Sequence, residues 1–377
     1  MKLFSSNNKK IIIGACALAA NIIGAGILGL PYSFAQAGFF IGLFWIIILG
    51  TIILYTFLCL GEVALRTKEK MQLLGYAEKY LGKKYRFAMS FALLFGLYAA
   101  LLAFLIGEGQ SISYFFTNTT NNALFFSLLF WITMTLLLRE GLRGLKKITT
   151  VGVFAVIMII SMLFLYYLHQ ITVENIFSIE INNIFLPFGI VLFALIGFNA
   201  IPELEMIMKG SEKKLKQAII LGILIPIILY IFFSVALVGA LGKNISPIAT
   251  IGLGKGVSFL GIFTMFTCYF VSSFCLKDLY AFDLKISRKK TFLLVAVPPL
   301  IAYLILYYTD KINFIQILGI GGVISGGLTG IIILIMNKKA KIKGDRKPEY
   351  VMPINWFIIL LISLVFIAGI IAQLVLS

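Results

Sequence analysis

Asn21-Ile22-Ile23-Gly24-Ala25-Gly26-Ile27-Leu28-Gly29-Leu30-Pro31 lies inside the first long apolar segment of the chain. A plain membrane-crossing helix has no use for three glycines and a proline in so short a run. Glycine loosens and exposes the backbone, and proline removes a hydrogen-bond donor. The stretch reads as a helix built to be interrupted. At membrane depth an interrupted backbone survives only where protein or a water-filled cavity satisfies its polar groups. Such a break suits the binding of a small polar molecule. Gly24, Gly26 and Gly29 also spell the G-x-G-x-x-G pattern of a dinucleotide-binding turn. That reading needs a preceding strand and a βαβ unit, whereas this motif sits in apolar sequence following Lys9 and Lys10.

The surrounding chain decides the class. Its 377 residues are 61% hydrophobic and 12% charged, with a mean hydropathy of +1.04; soluble domains average about a quarter charged residues. Repeated apolar stretches near 20 residues long specify an all-α polytopic membrane protein. The first span carries no small-residue cleavage pattern and is read as retained. A net charge of +17 would suit nucleic acid, but its distribution argues against that partner. Of the 32 Lys and Arg, only Lys243, Lys255 and Lys311 fall on the face read as outside, with Lys277 inside a span. This is the positive-inside asymmetry, which anionic membrane lipid would reinforce. It predicts a plasma-membrane protein with a cytoplasmic N-terminus and an external C-terminus. Cys16, Cys59, Cys268 and Cys275 all fall in apolar spans without zinc spacing and read as small buried hydrophobes.

About eleven spans are expected, over residues 10–32, 38–66, 86–115, up to 138, up to 169, 187–209, 215–241, 257–283, up to 308, up to 336, and 354–376. Residues 71–81, in a basic loop, read as a short amphipathic interfacial helix. Gly322, Gly326 and Gly330 form a small-xxx-small repeat that permits close helix packing. Residues 10–169 and 187–336 make two halves of five spans each, and 354–376 is an additional span. The second half also opens on a broken span, interrupted by Gly197 and Pro202. Five spans per half make the second enter the membrane from the opposite side. Inverted repeats whose first helix is discontinuous are a recognised transporter plan.

The residues also resemble a known family. Residues 21–32, ending Pro31-Tyr32, look like the first-span signature of the amino acid/auxin permease group. That group lies within the amino acid–polyamine–organocation superfamily. Phe193-Ala194-Leu195-Ile196-Gly197-Phe198-Asn199-Ala200-Ile201-Pro202-Glu203, followed by Met208-Lys209 and residues 214–219, resembles its sixth-span region. Thr267-Cys268 followed by Asp278 is similar to the eighth-span Thr-Ser…Asp pattern of bacterial aromatic amino acid permeases. Residues 61–66 and Gly144-Leu145-Lys146-Lys147-Ile148 add weaker matches. The resemblance implies a LeuT-like 5+5 inverted repeat with spans 1 and 6 broken. It also implies proton- or sodium-coupled uptake of an amino acid, with no other cofactor.

A free amino acid brings a carboxylate and an ammonium into a low-dielectric site. Unpaired N–H groups at a half-helix N-terminus suit the carboxylate, which assigns it to the backbone of Gly24, Ala25 and Gly26. Unwound carbonyls from Phe193 through Ala194 to Gly197 suit the ammonium. Phe198 and Asn199 are placed to touch the substrate side chain, although a packing role for Phe198 is equally open. A sodium site of this fold would use a first-span carbonyl near Ile22 and the hydroxyl of Thr267, since hard cations take oxygen ligands. Cys268 stands where the pattern has Ser, a softer ligand; Ser272 and Ser273 follow about a turn further on. Asn21 either contributes a carbonyl oxygen or ties the broken helix to its neighbours. Coupling by protons would instead require an ionisable group in a span, where acids are costly and often functional. Glu203 is favoured because it follows the second break. Glu205 reads as a gate partner for a loop lysine, Asp278 as half of a structural ion pair, and Glu62 as interfacial; Glu108 lies within span three.

The leading expectation is a secondary active transporter importing a neutral amino acid, with hydrophobic or aromatic side chains in range. A non-transporting amino-acid sensor on the same fold is the competing reading. A membrane-embedded enzyme would need a convergent catalytic set, and the single His169 at a span end supplies none.

Overall fold

The computed structural model describes residues 6–24, 26–140, 158 and 160–376. Ala25 lies outside the described residues, as does most of the expected fifth span and with it Gly144-Leu145-Lys146-Lys147-Ile148. The described residues contain helices and no strand. The first apolar segment forms α1 (Ser6–Ile22) and α2 (Gly26–Ala37), which meet at a 65° bend. The interruption follows Ile22, with Ile23 and Gly24 in neither helix. Pro31 takes no part in it. It sits inside α2, which continues past the expected end at Tyr32 to Ala37. Gly38 then turns the chain with φ 109°, a conformation open to glycine. An added Cβ there would stand 2.4 Å from the Ser178 carbonyl oxygen.

α3 (Phe39–Arg66), α4 (Leu73–Leu81), α5 (Lys83–Thr117) and α6 (Ala123–Glu140) follow. α4 is the expected short helix, and it buries Leu73, Leu74, Tyr76, Ala77 and Tyr80 against α5 and the later helix α14 (Gly327–Lys343). Beyond the helical residues 160–167, a short helix α7 (Val173–Phe177) leads to the second interruption. Here α8 (Leu186–Leu195) and α9 (Ala200–Ile207) are separated by residues 196–199, inside a stretch, Ile181–Ile207, that still qualifies as one span. Pro202 again does not break the chain. As the third residue of α9, it occupies the first turn, where its missing N–H has no intrahelical bond to lose.

The remaining helices are α10 (Leu215–Leu241), α11 (Lys255–Asp278), α12 (Arg288–Tyr308), α13 (Phe314–Gly321), α14 and α15 (Trp356–Leu376). A π-helical turn, Gly322–Gly326, joins α13 to α14. The glycine repeat there does pack helices closely: a Cβ on Gly322 would fall 2.1 Å from the Gly189 carbonyl oxygen of α8. Eight helices among the described residues are long and apolar enough to cross a membrane, or nine with the bent pair α1–α2 counted once. Ala123–Arg139 is a shorter apolar helix. Rows of exposed large apolar side chains, such as Phe357, Leu360, Leu361, Leu364 and Ile371 on α15, are what a hydrocarbon solvent requires of an outer surface. The molecule is a multi-pass membrane protein.

At one end of the bundle residues 173–183 close over the helix termini: Asn175 donates to the Gly239 carbonyl at 2.9 Å and Asn183 to that of Gln36 at 3.0 Å. At the end carrying the basic loops, Glu62 is fully buried within the protein. Its carboxylate accepts from Arg66 at 2.8 Å, Asn337 at 3.0 Å and the Met352 backbone N–H at 2.8 Å, with the Lys341 ammonium at 3.4 Å. Three segments of the chain are thereby drawn onto one side chain. Cys16 is exposed, against expectation, because its face of α1 turns outward; Cys59 is buried. His169 is exposed, as a solvated residue should be.

Candidate functional site

The two interruptions meet. α2 packs on α8 and α1 on α10, which brings the first break against the second. A Cβ on Gly26 would stand 2.4 Å from Ala194 Cα and 2.9 Å from its nitrogen, and one on Gly197 would stand 2.7 Å from Ile22 Cγ1. Each break thus carries a glycine that admits the other. A third element locks them together. Tyr230, fully buried in α10, places its hydroxyl 3.1 Å from the Ile22 carbonyl oxygen and 3.0 Å from that of Ala194. One O–H within reach of two carbonyls satisfies groups that a helix interruption would otherwise strand. Sequence reasoning missed Tyr230; the available signal was a hydroxyl in mid-span, four residues beyond Pro226.

Between the breaks and the α5–α11 pair lies a cavity of about 190 Å³, many times the roughly 10–15 Å³ one water requires. The first break contributes Asn21, Ile22, Gly24 and Gly26 to its wall, and the second Phe193, Gly197, Phe198 and Asn199. α11 contributes Thr264, Thr267, Cys268, Ser272 and Cys275; α5 contributes Leu93, Gly96, Leu97, Ala100 and Phe104; Ser325 of the π turn completes it. Sequence-predicted residues from three distant stretches therefore share one wall. Among the described residues that line it, none is Asp, Glu, Lys, Arg or His. Charge on a ligand would be met by backbone dipoles and neutral polar groups. The first N–H groups of α2 have no intrahelical acceptor and lie at the positive end of that helix.

Other expected residues fall differently. Ala194 packs behind the cavity, with its carbonyl bound to Tyr230. The Phe193 and Gly197 carbonyls each accept one turn bond, from Ile196 and Ala200, which leaves one lone pair on each. Phe198 faces the cavity yet also packs edge-to-face on Phe57, ring centroids 5.2 Å apart, so both of its expected roles are present. Asn21 donates to the Ala17 carbonyl of its own helix at 3.5 Å and borders the cavity. The Thr267 hydroxyl donates to the Thr264 carbonyl at 2.8 Å. Cys268 Sγ lies 4.0 Å from the Ile23 carbonyl oxygen. Ser273 is buried and bonds back to Tyr269.

Glu203 does not line this cavity. It borders an adjoining one with Gln72, Leu73, Asp278 and Asp283, and the two cavities share Leu93, Leu97, Asn199 and Cys275. Asp278 is exposed there. Glu205 lies within electrostatic reach of Lys70 and Arg346. Glu108 is fully buried on α5, and neither of its carboxyl oxygens has a hydrogen-bond partner among the described residues.

Several known transporters resemble the chain in sequence. The tyrosine-specific transport system 1 of Haemophilus influenzae is 27% identical over 342 residues, covering 83% of this chain and 84% of that protein. Glutamine transporter 2 of Aliivibrio fischeri is 24% identical over 243 residues, 63% of each chain. The tyrosine-specific transport system 2 of Haemophilus influenzae is 25% identical over 237 residues, 61% of this chain and 58% of that protein. These relatives are transporters, not enzymes. Residues 7–252 match the model of the tryptophan/tyrosine permease family, and the chain belongs to that family.

Proposed function

We propose that the protein is a secondary active transporter that imports a neutral amino acid, tyrosine or a similar aromatic one, by alternating access. The observation that carries this reading is the uncharged cavity walled by both helix interruptions. A zwitterion needs donors for its carboxylate and acceptors for its ammonium. The start of α2, with Gly24 and Gly26, offers the donors, and the carbonyls of Phe193 and Gly197 offer the acceptors. Phe104, Phe193 and Phe198 supply apolar surface for an aromatic ring, and Asn199 a polar contact. The tyrosine-specific relatives support the substrate class. Architecturally the reading is a LeuT-like 5+5 inverted repeat of the amino acid–polyamine–organocation superfamily. Its repeats are residues 10–169 and 187–336, with 354–376 as an eleventh span, in the plasma membrane with the N-terminus inside. The cavity bordered by Glu203, Asp278 and Asp283 would then be the route toward the cytoplasm.

For the driving ion the local chemistry favours a proton over sodium. The Ile22 carbonyl accepts from Tyr230 and the Thr267 hydroxyl donates to Thr264, so each oxygen keeps a lone pair, and what weakens a sodium site is the thiol at position 268. The sulfur of Cys268 is a poor ligand for a hard cation.

Uptake of labelled tyrosine into proteoliposomes, under imposed proton or sodium gradients, tests the proposal. Accumulation above empty liposomes is expected. Binding without accumulation would instead mark a sensor, and neither would refute the reading. Gly24→Ala probes the carboxylate cradle cleanly. Its Cβ would meet nothing closer than Cys268 Sγ at 3.8 Å, so the methyl group enters the cavity without disturbing packing. Weaker tyrosine binding with unchanged thermal stability is the expected result.

A further inference from the structure

The cavity-facing stripe of α5 does not end at the cavity. Leu93, Leu97, Ala100 and Phe104 line it, and the same three- and four-residue spacing continues to Glu108 and Ser111, one and two turns beyond Phe104. Both are fully buried, and the carboxyl oxygens of Glu108 and the hydroxyl of Ser111 all lack a hydrogen-bond partner among the described residues. Neighbouring elements close tightly here. A Cβ on Gly107 would meet Met265 Sδ of α11 at 2.6 Å and the Phe314 ring of α13 at 3.3 Å; one on Gly109 would meet Ser127 Oγ of α6.

None of these elements brings a cation to Glu108. α11 faces it with Cys268, which lies within electrostatic reach; its charged residues, Lys255, Lys277 and Asp278, sit at the helix ends. α13 and the π turn have no titratable residue. α6 has Arg139 and Glu140 at its far end. α12 offers Tyr303, Tyr307 and Tyr308, with Arg288, Lys289 and Lys290 at its opposite end. α4, with Tyr76, Glu78, Lys79 and Tyr80, and α14, with Lys338, Lys339, Lys341 and Lys343, pack against other parts of α5.

An ionised carboxylate cannot be held in such a place, because burial without a partner penalises the charge heavily. The group must carry a proton while it is enclosed. We propose that Glu108 is the site that holds the proton which travels with the amino acid. The proposal rests on the transport reading above and names the group through which that transport is driven. In the enclosed state described here the carboxylic acid is neutral. When water from the adjacent cavity reaches it on the side of lower proton concentration, the O–H proton passes to that water and the hydrated carboxylate remains. The carboxylate takes a proton back from water when the site next opens to the side of higher proton concentration. Cys268, between Glu108 and the first break, is the contact through which cavity hydration reaches the carboxyl group.

The test compares the full-length wild type with Glu108→Gln and Glu108→Asp in proteoliposomes. Three quantities are measured: gradient-free counterflow of labelled tyrosine, its accumulation under an inward pH gradient, and tyrosine-dependent proton entry with an entrapped pH dye. Gln keeps the shape of the protonated acid but cannot release a proton. Glu108→Gln should therefore still exchange tyrosine while losing both pH-driven accumulation and tyrosine-dependent proton entry. Glu108→Asp should recover accumulation above the Gln level. Accumulation by the Gln variant at the wild-type level would overturn the proposal. So would a folded Gln variant, judged by its unfolding temperature, that exchanges nothing, or an Asp variant no better than Gln. Wild-type accumulation driven by sodium alone would overturn it too. A wild type that neither exchanges nor accumulates tyrosine would instead refute the transport reading itself.

Discussion

Glu62 and Glu108 are both fully buried carboxylates in apolar helices, yet their surroundings are opposite. Glu62 has Arg66, Lys341, Asn337 and the Met352 N–H around it, whereas Glu108 has no hydrogen-bond partner among the described residues. Equal burial therefore goes with different partners and different work. Two cationic side chains and two further donors converge on Glu62, which fastens α3 to α14 and to the segment after it. Glu108, with no hydrogen-bond partner among the described residues, sits one turn beyond the cavity-lining Phe104. The difference teaches that the cost of burying an acid is set by its partners, and that an unpaid cost of this kind marks a group free to change state.

The same substitution at both positions separates the two cases most sharply. Glu62→Leu strands Arg66 and Lys341 and is expected to cost about 3–5 kcal/mol, read as a large fall in unfolding temperature in detergent. Tyr230→Phe is the next largest. It removes a buried hydroxyl that serves two carbonyls and should cost about 1–3 kcal/mol in the same measurement, with weaker tyrosine binding as the two breaks loosen. Glu108→Leu should leave stability unchanged or raise it, since an apolar residue of similar volume often improves on a buried polar one. A loss there as large as at Glu62 would break the contrast and reveal a charge partner for Glu108.

The exposed pair Lys79–Asp345, at 2.5 Å, gives the smallest effect. The hydrogen bond from Lys79 and then the Lys68 N–H hold Asp345 below the usual carboxylate range. The same pair holds Lys79 above its ordinary value. Because the folded value of Asp345 is depressed, its contribution is present above the unfolded value, near 3.9, and is lost as pH falls through the folded value. Lys79 keeps its share below its unfolded value and loses it as pH rises through the raised one. Asp345→Asn should therefore slightly flatten the acid limb of an unfolding-temperature profile, and added salt should shrink the difference.

Much of the site was legible because its elements announce themselves locally. Glycines at 24, 26 and 197 mark both interruptions, and the hydroxyl-and-thiol pair Thr267-Cys268 falls opposite the first break, as its place in the eighth span implied. The prolines misled: Pro31 lies within α2 and Pro202 in the first turn of α9, positions a helix tolerates once its break lies upstream. What the sequence could not carry were partnerships across long separations. Glu62 is one more acid near a span end until Asn337, Lys341 and Met352, nearly 300 residues away, arrive around it. An acid at position 108 is visible in the chain; that none of the described residues hydrogen-bonds to it is visible only in three dimensions. Tyr230 is one aromatic among many until two carbonyls converge on its hydroxyl.

The contact between Gly26 and Ala194 has a consequence for variation in this chain. The atoms a new Cβ would strike are the Cα and nitrogen of Ala194 as well as its methyl group, so trimming residue 194 to glycine makes no room. No compensating exchange exists between the two positions, and the constraint is set by the distance between two backbones. Position 26 should stay glycine whichever amino acid the cavity accepts, whereas Gly24, two residues away and open to the cavity, is where a change of diet could be written.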